Sequence, residues 1–200
     1  MVTFTVLGVI STQVSPGCNL IVDPLDDSNC VGEVSDDRFH VPFISTPPKP
    51  LFSYSSTVPK GLPATNIHDP ISSYADIGWQ YDAQTKKYLL SYSGTPAMLA
   101  NGSQISAANV VVQLVNIYYG PYVEDAEGAF GVRAHFLGSG PLLVFRNGVE
   151  IKGTWKRSSE TSPTQLLSSS GSTIKLQPGL TWVEITPSTV NVTTSGLSRK

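Results

Sequence analysis

The sequence predicts a mostly β domain, a small antiparallel β barrel or sandwich with little helix. Three observations predict it. Turn residues are spread along the whole chain, with 17 Gly and 15 Pro, which opposes long helices. Runs rich in Val, Ile, Thr, Tyr and Trp recur between those turns at the intervals of sandwiches and barrels. Polarity comes from Ser, Thr, Asn and Gln, since charged residues make up only 14% of the chain, against roughly 25% in an average soluble protein.

The elements follow in chain order. Residues 1–45 read as a divergent leader or arm. Asp23, Asp26, Asp27, Glu33, Asp36 and Asp37 make this stretch acidic, and little periodicity is visible after Val22. It is either a loop-rich arm or partly disordered. Its first residues are mildly apolar and lead to Ser15-Pro16-Gly17-Cys18. A small residue before cysteine hints at lipidation of Cys18. The start has no basic residue, and Gln13 and Pro16 interrupt the apolar run, so an ordinary strand is the other reading. Cys18 and Cys30 either pair in an oxidising compartment or stay as two thiols. Thr46-Pro47-Pro48-Lys49-Pro50 then reads as a stiff linker at a domain boundary.

The β-rich domain spans 46–187. Gly78-Trp79-Gln80-Tyr81-Asp82 and residues 87–92 form a hairpin around the turn 83–86. Residues 110–119 are the strongest strand. The continuous β-branched run predicts a central strand buried on both faces. Residues 132–136 form a strand before a break at Gly138-Ser139-Gly140. Residues 141–145 and 149–152 flank Arg146-Asn147-Gly148, and Asn-Gly is a strong signal for a type I′ hairpin. Residues 164–167 and 173–176 form another hairpin, and Gln177-Pro178-Gly179 turns into a last strand at 181–185. One helical turn is expected at 105–109, and residues 188–200 are expected to be a flexible tail.

Several classes of function are unsupported by the residues. The net charge is −2 and the basic residues are scattered, so no nucleic-acid footprint is present. No stretch is long and apolar enough to predict a transmembrane helix. His40, His68 and His135 lie far apart in sequence, and no metal-ligand spacing or cofactor motif is seen, so neither metal nor cofactor is expected. Ser139 sits between adjacent glycines, whereas a nucleophile elbow places them two residues away on a strand-to-helix turn. Glu124, Asp125 and Glu127 read as a solvated loop rather than a glycosidase pair. No catalytic residue is assigned. Trp79, Tyr81 and Tyr122 are candidates for an aromatic binding platform, with Trp155 and Trp182 read as core. Asn109 and Gln113 flank the central apolar strand. They are candidate binding residues, as is Ser139, or, if buried, they fix loops by hydrogen bonds.

The ordered series Trp79-Gln80-Tyr81-Asp82, Tyr88-Leu89-Leu90, Asn109-Val110-Val111-Val112-Gln113 and Gly138-Ser139-Gly140 continues with Val144-Phe145-Arg146-Asn147-Gly148, Gly153-Thr154-Trp155 and Leu176-Gln177-Pro178-Gly179. From about Thr46 to Pro187 it resembles the C-terminal domain of the YerB-like lipoproteins, domain-of-unknown-function family 3048. The resemblance implies an extracytoplasmic protein of the bacterial cell envelope. It also implies a larger α/β domain preceding this one. Residues 1–45 do not look like that domain, so the chain reads as a C-terminal-domain-only member. The family brings no catalytic residue to map. The leading expectation is a non-catalytic module that binds or scaffolds a protein or a cell-wall polymer. The rivals are an envelope hydrolase acting on peptidoglycan or another glycan, and a truncated remnant of a two-domain lipoprotein.

Overall fold

The structure, a computed structural model, describes residues 51–196. The expectations placed on residues 1–45, including Cys18 and Cys30, and on the linker at 46–50 lie outside the described residues.

Numbered in chain order, the strands form two sheets. The first runs β1 (Leu62–Pro63), β10 (Val149–Arg157), β9 (Gly138–Arg146), β7 (Asn109–Val123) and β12 (Thr181–Pro187). In it β11 (Gln165–Ser168) joins β10, and β8 (Phe130–His135) joins β7. The second runs β13 (Thr193–Ser195), β2 (Asn66–Ser72), β3 (Ala75–Asp82), β4 (Lys87–Tyr92) and β5 (Thr95–Pro96), with β6 (Ser106–Ala107) also on β4. The fold is a sandwich of two mostly antiparallel sheets rather than a closed barrel.

The alternation of side chains along each strand divides the core. Ile67, Ile77, Trp79, Tyr88 and Leu90 from the second sheet meet Val110, Val112 and Phe145 from the first. The alternate residues of the first sheet, Val111, Val115, Leu142, Val144 and Trp155, face the other way. Leu166 of β11 joins them on that face, and Ile174, Leu176 and Phe52 pack against it. The proximal half of β7 is therefore buried on both faces, as its unbroken valine run requires.

The hairpins form as the sequence predicts. Asp82 pairs with Lys87 across the four-residue turn. Arg146 pairs with Val149 across Asn147-Gly148, whose φ angles of 54° and 72° are those of a type I′ turn.

Four details differ from expectation. First, β12 runs parallel to β7, from Thr181 opposite Asn109 to Pro187 opposite Val115. Parallel pairing needs a crossover, and residues 169–180 supply it while burying Ile174 and Leu176 on the far face. Second, residues 105–109 form no helical turn. Ile105 bonds the backbone of Leu90 and Ala97, and Ser106–Ala107 pairs with β4. One isolated turn cannot repay its nucleation cost, whereas a waiting strand edge satisfies the same groups. Third, Gly138-Ser139-Gly140 is not a break but the start of β9, with Ser139 opposite Lys156 and Gly140 opposite Trp155. Fourth, the stretch expected to be a flexible tail contains β13, which pairs with β2. Thr194 Oγ1 donates to Glu150 Oε2 at 2.9 Å, and Val192 packs on the core between the sheets.

Candidate interaction surface

The 15 residues of β7 outrun the sheet that holds them. Regular pairing with β9 ends at Gln113 opposite Leu142. Pairing with β12 ends at Val115, whose carbonyl also accepts from Ser188 N–H at 2.8 Å. From Asn116 onward, among the described residues, only β8 accompanies β7, from Asn116 opposite His135 to Val123 opposite Phe130. The result is a two-stranded arm.

β8 and β9 both pair antiparallel with β7, on its distal and proximal halves, and the chain between them is interrupted at Phe136-Leu137. Gly138, at φ 96°, takes up the change of direction. Just past the last regular β7–β9 pair, Trp155 Nε1 donates to the Leu114 carbonyl at 2.7 Å. The indole crosses Gly140, where a Cβ would lie 2.6 Å from Nε1 and 2.9 Å from the Leu114 oxygen.

The two faces of the arm differ. Tyr119 pairs directly with Val132, and Phe130 lies two residues from Val132 on the same strand. These three share one face and are 75%, 53% and 51% exposed. Ile117 and Ala134 continue that face down to the far-side core. On the opposite face Tyr118 pairs with Arg133, and Asn116 with His135. Arg133 lies over Gly120 and the Glu124 carboxylate over Gly131, so a Cβ at either glycine would displace that side chain. Asp125 Oδ1 closes the tip by accepting from the backbone N–H groups of Glu127 and Ala129, at 3.0 and 2.9 Å. The acidic group at 124–127 is thus largely occupied in holding the hairpin.

The residues singled out from sequence scatter over this fold. Trp79 is 2% exposed and packs edge to face on Trp182 at 5.5 Å, so it sits between the sheets and offers nothing to a partner. Tyr81 is half-buried against Tyr88. Tyr122 is 70% exposed and belongs to the arm. The three do not form one platform. Asn109 is fully buried. Its Nδ2 donates to the Gln177 carbonyl and Thr181 Oγ1, and its Oδ1 accepts from Gln177 N–H at 2.7 Å, which fastens the turn before β12. Gln113 is buried on the far face. Ser139 is exposed at the start of β9.

Sequence reasoning missed a buried pair of acids. Asp69 on β2 and Glu184 on β12 both lie in the space between the sheets. Thr186 Oγ1 donates to Asp69 Oδ2 at 2.6 Å. Burial raises the Asp69 pKa, opposed by that hydrogen bond and by His68. Burial first, and then the charge of Asp69, push Glu184 up to about 7, partly offset by the indoles of Trp182 and Trp79. Asp69 Oδ1, Glu184 Oε1 and Trp79 Nε1 complete no hydrogen bond among the described residues, so Trp79 faces the carboxylate without closing on it. The available signal was parity. Asp69 alternates with Ile67 and Ile71, and Glu184 with Trp182 and Thr186, which places each acid on the inward side of its strand.

On the outside of the second sheet, His68 Nε2 meets Asp76 Oδ1 at 2.6 Å. With Pro70, Ser72, Ser73 and Ser93 they line a shallow depression of about 450 Å³. Both side chains are about half exposed, and no serine hydroxyl among the described residues bonds His68. A nucleophile–base pair is not assembled there. Among the described residues no group of three or more His, Cys, Asp or Glu is placed to hold a metal ion.

A family model described as "Protein of unknown function (DUF3048) C-terminal domain" matches residues 67–183. No curated protein matches the chain significantly. Among solved structures, the crystal structure of the YerB protein from Bacillus subtilis matches with a TM-score of 0.53 at 17% identity, over 72% of this chain and 47% of that chain. The chain thus spans about half the length of that protein, and at this identity the likeness concerns the fold alone.

Proposed function

The chain belongs to the DUF3048 C-terminal domain family, and from that premise we propose that it is a non-catalytic binding module of the bacterial cell envelope, docking a protein partner through the arm of β7 and β8. The observation that carries this reading is the exposed face of Tyr119, Phe130 and Val132 on a ribbon only two strands wide. Such a ribbon is marginal in water by itself, and a contiguous exposed apolar patch marks an interaction site. The envelope placement rests on the resemblance to the YerB-like lipoproteins.

A protein suits the arm better than a glycan does. A sugar needs hydrogen-bonding groups beside the aromatic ring, whereas Tyr119 here is neighboured by Val132 and Phe130. Beyond Val115 a single strand, β8, accompanies β7, so one edge of the arm's β7 has no strand against it among the described residues. An extended segment of a partner can add there, its backbone bonding the edge and its alternate side chains packing on the apolar face.

The test is a photo-crosslinking amino acid placed at Tyr119 in the full chain, with Tyr74, also exposed but in the turn between β2 and β3, as control. The expected result is one protein crosslinked from position 119 and not from 74. Its binding in purified form should be lost in the doubly substituted Tyr119→Ser, Phe130→Ser chain. Equal crosslinking from both positions, or binding that survives the double substitution, overturns the reading. So does retention of the chain by purified cell-wall polymer through the same residues.

A further inference from the structure

We infer that Asp69 and Glu184 share one proton in the folded domain near neutral pH, making the sandwich a proton-binding device that tightens on acidification and loosens as the proton is lost. Geometry comes first. Asp69 is fully buried and Glu184 nearly so, and both lie in the same inter-sheet space. Among the described residues neither carboxyl has a lysine or arginine partner. Two uncompensated carboxylates in an apolar core are prohibitively costly, so at least one must stay neutral.

The groups facing the pair from each packed element agree. From β12, Trp182 presents its indole and Thr186 its hydroxyl. From β3 comes Trp79, and from β4 comes Tyr92. All are neutral near pH 7, and Tyr92 is itself raised by burial and by the charge of Glu184. Among the described residues His68 is the one cationic candidate. It lies on the outer face, is engaged by Asp76, and acts on Asp69 only through space. The raised values of Asp69 and Glu184 have the same direction as this geometry.

The pair is placed to respond to solvent. Asp69, Ile77 and Tyr92 lie in one row across the second sheet, and Tyr92 is partly exposed. The pair is also placed to act on the arm. Thr186, which holds Asp69, lies opposite Leu114, one residue before Val115, where β12 leaves β7 and the arm begins. Loss of the proton puts repulsion on the strand that braces the arm's root. The inference stands whether or not the arm docks a protein.

The test follows Tm of the full chain from about pH 5 to about pH 8, together with carbon-detected NMR of its glutamate carboxyls. The expected wild-type result is a Tm that falls as pH rises, with one glutamate titrating near 7. In Glu184→Gln that titration disappears, Tm is nearly flat, and the variant is the more stable protein at pH 8. In Asp69→Asn the Glu184 midpoint moves down. A flat or rising wild-type Tm, no glutamate titrating above the ordinary range, or an unchanged slope in Glu184→Gln overturns the inference. So does stabilisation of the wild type by sodium or calcium ions at pH 8 that Glu184→Gln lacks, which would make the pair a cation site. The wild-type titration alone decides the matter if a variant fails to fold.

Discussion

The indole of Trp155 reaches across one strand to donate to the backbone carbonyl of Leu114 on the next, at 2.7 Å. It does so where β9 stops pairing regularly with β7, and it passes over a residue that must lack a Cβ. The Gly138-Ser139-Gly140 motif is therefore explained by structure alone. Gly138 turns the chain and Gly140 makes room for an indole.

Gly140→Ala is expected to destabilise the domain by about 1–3 kcal/mol, because the backbone oxygen of Leu114 cannot move aside for the new methyl. Trp155→Phe is expected to cost a similar amount by leaving that carbonyl unsatisfied. Urea unfolding of both variants checks the size of each effect.

Asn109→Leu replaces a buried amide of similar size by an apolar side chain. It strands the N–H and C=O groups of Gln177 together. A loss of about 2–4 kcal/mol is expected. Amide hydrogen exchange should show the protection loss concentrated at Gln177 and the start of β12.

Arg146 is buried with carbonyl and amide oxygens rather than a carboxylate around it. It donates to Asn147 Oδ1, the Lys175 carbonyl and the Thr57 carbonyl. Burial lowers its pKa. Arg146→Lys is expected to fail as a conservative change, because a single ammonium cannot reach three acceptors held in a planar fork. A drop of about 2 kcal/mol by denaturant unfolding is the expected size.

The pH dependence of stability has a definite sign. Glu184 rises from 4.5 to about 7 on folding, so the folded state keeps a proton that the unfolded chain releases between those values. Stability from this group is greatest below the unfolded value, declines through the interval and is constant above it. The total decline is about 3 kcal/mol, and the upward shift of Asp69 adds to it in the same direction. Calorimetry in matched buffers measures the slope.

Substitutions on the arm should behave differently from all of these. Tyr119→Ser or Val132→Thr removes side chains that are mostly in water. Each is expected to change unfolding free energy by no more than about 0.5 kcal/mol, with native circular dichroism retained.

The sequence made the local rules legible and left the long-range ones hidden. Asn147-Gly148 announces its turn because the required φ angles belong to so few residues. The valine run of β7 announces double burial because Val110, Val111 and Val112 put apolar side chains on both faces in succession. The parallel partnership with β12 was invisible, since nothing in residues 181–187 records which edge they join. Trp79 was offered for an aromatic platform but lies between the sheets, because an indole in a strand reads the same from sequence whether it faces a partner or the core. Asp69 and Glu184 lie 115 residues apart and meet only when the sheets close. The exposed face of the arm was read as the ordinary end of a buried strand, because Tyr, Val and Phe look the same whether or not something covers them.

One strand belongs to both the arm and the core, and this has a mechanical meaning. A pull on the arm along β7 travels down a continuous backbone into an interior strand of the first sheet. There β9 on one side and β12 on the other grip it along most of its proximal length. Tension along that axis shears many hydrogen bonds at once instead of peeling them one by one. Gripped lengthwise at the arm the domain would act as a stiff anchor, and gripped across it as a hinged one.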